Sequence, residues 1–135
     1  MAFTDENISA VRRWSLAAVG LCCVGYAVMA LGQNRPDPVL WYLPGLAGSA
    51  AAFGVFLTFC FAGPQAIAMA SDELYASVNQ RAQRHAYWVA VLMYPAFGIF
   101  GTSLGLHWDT IFAAMGTLNA ASYLLLVTLY DWRTS

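Results

Sequence analysis

Lysine is absent from this chain of 135 residues, and charged residues of all kinds make up only 10% of it. A soluble domain averages about 25% charged residues. Hydrophobic residues account for 60% of the chain, more than a short soluble domain can bury, because small domains keep much of their surface in water. Lipid is therefore the expected solvent for much of the surface. The net charge of −1 gives no reason to expect nucleic acid or a polyanion as partner. Only three cysteines occur, Cys22, Cys23 and Cys60, each within an apolar run, so a secreted disulfide framework is excluded. No glycine-rich phosphate loop, nucleophile–His–acid arrangement or metal-spaced cluster is present. An enzyme is accordingly not expected, nor is a bound cofactor.

The charges are missing from particular places. Trp14–Leu31, Val39–Ala62, Ala86–Leu106 and Ile111–Tyr130 contain no Asp, Glu, Lys, Arg or His. Each run is close to the roughly 20 residues that cross about 30 Å of hydrocarbon as a helix. A soluble core could hide one such helix but hardly four. The expected fold is all-α, a single four-helix transmembrane bundle over 1–135, with helices at about 14–31, 43–63, 72–106 and 110–131. Arg12-Arg13 before an apolar run imitates a signal peptide, and Arg12-Arg13-Trp14-Ser15-Leu16 loosely resembles a twin-arginine signal. No small-residue cleavage site follows near Leu31, so this first helix is expected to stay.

The connections agree with that division. Gly32 to Pro38 is rich in turn formers and includes Pro36 and Pro38. Pro44 suits the first turn of the second helix, and Gly63-Pro64 ends or kinks it. Ser71-Asp72-Glu73 reads as a capped helix start. The segment from Leu106 to Asp109 allows only a tight turn, with Asp109 or Thr110 as the next cap. Leu74, Val78 and Ala82 recur at four-residue spacing, so the third helix should begin as an amphipathic arm about 20 Å long outside the membrane. Pro95 should kink it near Tyr94.

Arginine placement gives an orientation. Arg12, Arg13, Arg81, Arg84 and Arg133 fall on one side and Arg35 on the other, which predicts two antiparallel hairpins with both termini and the arm in the cytoplasm. Trp14, Tyr87, Trp88, Tyr130 and Trp132 mark the same inner boundary, and Trp41, Tyr42 and Trp108 the outer one.

Few residues stand out as candidate sites. Arg81, Arg84 and His85, at i, i+3 and i+4, could hold a phosphate of an anionic lipid headgroup, or serve only as positive-inside anchors. Asn119 is the most polar residue at mid-depth, with Ser122 and Tyr123 nearby. It either hydrogen-bonds a neighbouring helix or, with Tyr94 and Tyr123, contacts a ligand. Gly101-x-x-x-Gly105 and Gly116-x-x-x-Ala120 would let the third and fourth membrane helices approach closely. His85 and His107 lie about 33 Å apart on one helix, too far to ligate one haem. With no ionisable group between the interfaces, proton-coupled transport is not expected.

Two resemblances bear on function. Cys22-Cys23 resembles the vicinal cysteine pair in the first helix of mercuric-ion carriers, which would imply metal transfer by the two thiols. Adjacent helical residues point about 100° apart, and buried free cysteine also serves as a small apolar residue. The stretch from Asp72 to Ala82, followed by Ala86-Tyr87-Trp88, resembles small uncharacterised four-helix bacterial inner-membrane proteins, in which an Asp-Glu-Arg start and a later Arg-Ala pair open the third helix. Leu74 stands here in place of that arginine. The resemblance implies topology and a bacterial inner membrane but no activity. Two functions follow as expectations: an accessory or regulatory subunit packed against a larger membrane partner, or a small homo-oligomeric transporter or lipid- or hydrophobic-ligand-binding protein. The face carrying Phe53, Phe56, Phe59 and Phe61 suits lipid, partner or ligand equally.

Overall fold

A computed structural model describes residues 5–40, 42–70 and 73–134. Its elements are the α-helices α1 (Asp5–Gln33), α2 (Leu43–Phe61), α3 (Pro64–Ala70), α4 (Glu73–Ser103) and α5 (Trp108–Thr134). All except α3 are long and apolar enough to cross a membrane. The chain is a bundle of such helices. The expected boundary residue Trp41 and the start at Ser71-Asp72 lie outside the described residues.

The ends of the helices correct several sequence expectations. Helix α1 begins well before Trp14, so Arg12 and Arg13 stand inside it. Pro44 occupies the first turn of α2 as its missing N–H allows. That helix stops at Phe61, where Ala62 is extended (φ −90°, ψ 147°). The chain then forms a short helix, α3, that the sequence reading left unassigned; Pro64 opens it because a first-turn residue needs no donor. Helix α4 continues through Pro95 without interruption. Its buried face in the early turns is Val78, Ala82 and Ala86, whereas Leu74 is half exposed.

Two backbone caps explain where α1 and α4 end. Asn34 takes the left-handed conformation (φ 48°) after α1, and the amides of Asn34 and Arg35 donate to the carbonyls of Leu31 and Ala30. Gly105 (φ 68°) does the same after α4, with Gly105 and Leu106 donating to Thr102 and Gly101. Both are Schellman closures, which satisfy carbonyls that a helix end leaves over. The second one stops α4 at Ser103 rather than Leu106. Neither Asp109 nor Thr110 precedes α5 as a cap: the helix has already begun at Trp108, and the amide of Ile111 donates to the carbonyl of His107.

Packing is most extensive between the first and last helices, α1 and α5. Helix α1 buries Ile8, Arg12, Gly20, Cys23, Ala27 and Ala30, a three- and four-residue spacing that follows one helical face. Helix α5 buries Ile111, Ala114, Ala121, Val127 and Asp131. A Cβ on Gly20 would come within 2.9 Å of the Leu125 side chain, so glycine permits this approach. Helix α4 lies on α5, while α2 and α3 lie on α1.

Polar contacts tie the two ends of this array. At one end, Asn34 Nδ2 donates to the Gly105 carbonyl (3.3 Å), and its Oδ1 accepts from the His107 amide (2.9 Å). The end of α1 is thereby fixed to the turn between α4 and α5. At the other end, Arg12 and Arg13 of α1 approach Asp131 of α5, and Trp14 meets Trp132 edge to face at 5.9 Å.

Candidate functional site

The first candidate is built around Arg12. Its guanidinium carbon lies 3.6 Å from the centroid of the Tyr75 ring, and its Nη2 lies 3.7 Å from Asp131 Oδ2. Arg13 Nε lies 3.8 Å from the same oxygen. Three helices therefore contribute to one charged cluster: α1 both arginines, α5 the carboxylate and α4 the aromatic face. The Arg12 and Asp131 side chains are only 9% and 12% exposed, so ring face and carboxylate replace much of the water a guanidinium would otherwise hold. These residues were read from sequence as interfacial anchors or not singled out. The available signal was the flanking of the first and last apolar runs by opposite charges, informative only once α1 and α5 are known to pack together.

An apolar groove of about 610 Å³ leads away from this cluster. Its floor and walls are Ser15, Leu16 and Val19 of α1 with Gly48, Ala51, Ala52, Val55, Phe56 and Phe59 of α2, and Leu124 of α5 adds to the lining. Arg12 and Tyr75 supply its polar boundary. The small residues of α2 make room that bulkier ones would fill. The arrangement is an apolar groove closed at one end by a paired polar cluster.

The residues singled out from sequence fall in separate places. Arg81, Arg84 and His85 are exposed and share a surface hollow with Ser77, Gln80 and Trp88, all on α4. The His85 Nδ1 lies 2.9 Å from the Arg81 carbonyl, which can only accept, so this nitrogen carries a proton and donates. The Tyr130 hydroxyl is 3.2 Å from the same nitrogen. Tyr94 and Asn119 line a pocket of about 160 Å³ between α4 and α5, together with Met93 and Met115. Tyr123 is not in it; its hydroxyl donates to Asn79 Oδ1 at 2.6 Å.

Sequence leaves Asn119 a choice between helix packing and ligand contact. Its residue is exposed, and the hydrogen bonds of the described residues include none from its side chain. Hydroxyls do little bridging either: Thr58, Thr102, Thr117, Ser122 and Thr128 each turn back to a carbonyl of their own helix. Among the described residues, side chains that bond across elements include Asn34, Tyr123 and the Arg12–Asp131 pair. Of the glycine pairs, Gly101 does face α5, where an added Cβ would meet Ile111 Cδ1 at 2.6 Å. Gly105 serves the turn, and Gly116 has open space around it.

Cys22 is exposed and Cys23 buried, so the adjacent thiols occupy different surroundings. Among the described residues no three His, Cys, Asp or Glu side chains gather as metal ligands would. Comparison with protein families, with curated proteins and with solved structures gave no match.

Proposed function

We propose that this chain is a non-enzymatic, multi-pass protein of a bacterial inner membrane that acts as an accessory subunit, docking a larger membrane partner through α2. The observation that carries the reading is the exposed apolar surface of α2. It leans on α1, and Thr58 is its one buried residue among those described. Phe53, Phe56 and Phe61 are 60–71% exposed. Aliphatic and aromatic surface can face lipid at no cost, but a helix that meets its own chain chiefly through α1 and exposes several phenylalanines is also suited to pack against another chain. The proposed orientation keeps both termini and the start of α4 in the cytoplasm, in two antiparallel hairpins, and rests on the arginine distribution. The resemblance of the α4 opening to small inner-membrane proteins supports the compartment.

A second reading, a lipid or hydrophobic-ligand carrier, is favoured by the groove bounded by Arg12 and Tyr75. Site-specific photocrosslinking in intact membranes separates the two. A crosslinker at Phe53 or Phe56 should give one protein adduct of defined mass and stoichiometry, while one at Ile99 of α4 should not. Adducts to lipid alone from both helices would sink the accessory-subunit reading and leave the groove as the better one.

A further inference from the structure

We infer that the face of α4 carrying Arg81, Arg84, His85 and Trp88 is a binding site for a single anionic phospholipid, with its phosphate held by the two guanidinium groups. The proposal is independent of any protein partner at α2. It starts from spacing: Arg81 stands three and four residues before Arg84 and His85, and these stand four and three before Trp88, so all four lie along one side of the helix. All are exposed, and they border a common hollow of about 650 Å³. Among the described residues no acid lines that hollow, and neither Arg81 nor Arg84 forms an ion pair. Their charge is available in a way that the Arg12 and Arg13 charge, directed toward Asp131, is not. Guanidinium forks match phosphate oxygens in pairs, which fits them to a phosphodiester better than to a single-point anion.

What lies further along the same face decides for a lipid rather than a free phosphate. Trp88 is 56% exposed where the polar part of α4 ends, the position an interfacial indole takes at headgroup level. Beyond it Leu92 and Ile99 continue the stripe, 65% and 66% exposed. A basic patch, an indole and an apolar strip thus follow one another along one helix face. Headgroup phosphate, glycerol region and acyl chain succeed one another in the same order.

His85 is oriented for this site by its neighbours. With its Nδ1 proton committed to the Arg81 carbonyl and Tyr130 close to the same nitrogen, ring rotation is restricted. The imidazole adds a fixed polar edge beside the arginines.

Native mass spectrometry of the full chain, titrated separately with phosphatidylglycerol, phosphatidylcholine and inorganic phosphate, tests the proposal. One phosphatidylglycerol per chain should be retained saturably, and in preference to phosphatidylcholine. Arg81→Gln with Arg84→Gln should weaken retention about 30-fold, since each basic residue near an anionic lipid surface is worth a factor of about 5. Arg133→Gln, a charge change on the exposed last turn of α5 that does not border the hollow, should alter it less than about twofold, because a charge not in contact with the bound phosphate is screened. Both arginines being exposed, the double substitution removes no internal contact, and an unchanged melting temperature confirms that. Equal retention of the two lipids would overturn the site, as would an equal loss from Arg133→Gln. Displacement of the lipid by inorganic phosphate at similar concentration would make it a free-anion site instead. Release of a co-purified protein by the double variant, with lipid retention intact, would assign the face to an acidic protein segment.

Discussion

Arg12 stands in the second turn of α1, yet its charge is managed by residues from α4 and α5. The Tyr75 ring covers one side of the guanidinium, and Asp131 lies beside both Arg12 and Arg13. Removing one member of a mostly buried pair strands the charge of the other, and this usually costs more than the pair itself contributes. Asp131→Asn is therefore expected to destabilise the protein by about 3 kcal/mol. Combining it with Arg12→Met should cost clearly less than the two single changes added together, because the stranded charge is gone as well. Equilibrium unfolding in mixed micelles, followed by tryptophan fluorescence, measures this; strict additivity would show the residues to be uncoupled. Glycines offer a contrast at the same scale. Gly20→Ala places a methyl 2.9 Å from Leu125, including its Cγ, which cannot swing away like a side-chain tip. A loss of about 1–2 kcal/mol is expected. Gly116→Ala meets nothing within 4 Å and should be neutral or stabilising by about 0.5 kcal/mol through reduced backbone freedom in the unfolded state. The reverse order in the same unfolding assay would contradict the α1–α5 approach.

Among the elements, the membrane helices were legible because an uncharged run near 20 residues has few alternatives, and Pro44 marks a helix start and Gly63-Pro64 a helix end for a covalent reason. The caps were harder to see. Asn34 and Gly105 each lie in a turn-rich segment, but only the coordinates reveal that both adopt the left-handed conformation and that the Asn34 side chain joins the two turns. Helix α3 escaped notice since its seven residues are too few to show a period. The Asn34 bridge yields a prediction in which two causes separate. Asn34→Gly keeps the left-handed turn and loses both side-chain bonds, so it should cost about 1–2 kcal/mol, the worth of exchanging one or two partly exposed hydrogen bonds for water. Asn34→Ala loses the same bonds and keeps a Cβ in that conformation without asparagine's local hydrogen bonding, so it should be about 1 kcal/mol less stable than Asn34→Gly. Thermal unfolding of the two variants reads the difference directly. Equal melting temperatures would mean that the turn relaxes, and a wild-type value for Asn34→Gly would mean that the bridge contributes nothing.

Across the whole molecule, what sequence reading could not supply is which helices meet. In lipid the faces turned to protein and to solvent are both apolar, so the pattern that reveals a core in water is nearly silent. Val78 and Ala82 could be found by their spacing only because polar residues surround them. The meeting of α1 with α5 had no such signal, and Asn119, the obvious polar candidate for glue, is exposed. The resulting architecture is uneven: α1 and α5 hold the centre, and α2 touches the rest chiefly through α1. Stability and partner binding should then be separable by mutation. Ile111 is 1% exposed, and Ile111→Ala should cost the isolated protein about 2–4 kcal/mol in lost packing. Leu46, Phe53 and Phe61 are 56%, 61% and 71% exposed. Their replacement by alanine should change the unfolding free energy of the purified chain by less than about 0.5 kcal/mol, because they pass from one apolar contact with lipid to a smaller one. In cells the order should differ. A partner that binds only the folded chain stabilises it by mass action, so α2 variants that are silent in purified form should accumulate to lower levels wherever the partner is present. Quantitative immunoblotting beside the unfolding measurements checks both halves. Strong destabilisation of the purified chain by the α2 changes would mean that α2 belongs to the core, and unchanged cellular levels would remove the main support for docking through that helix.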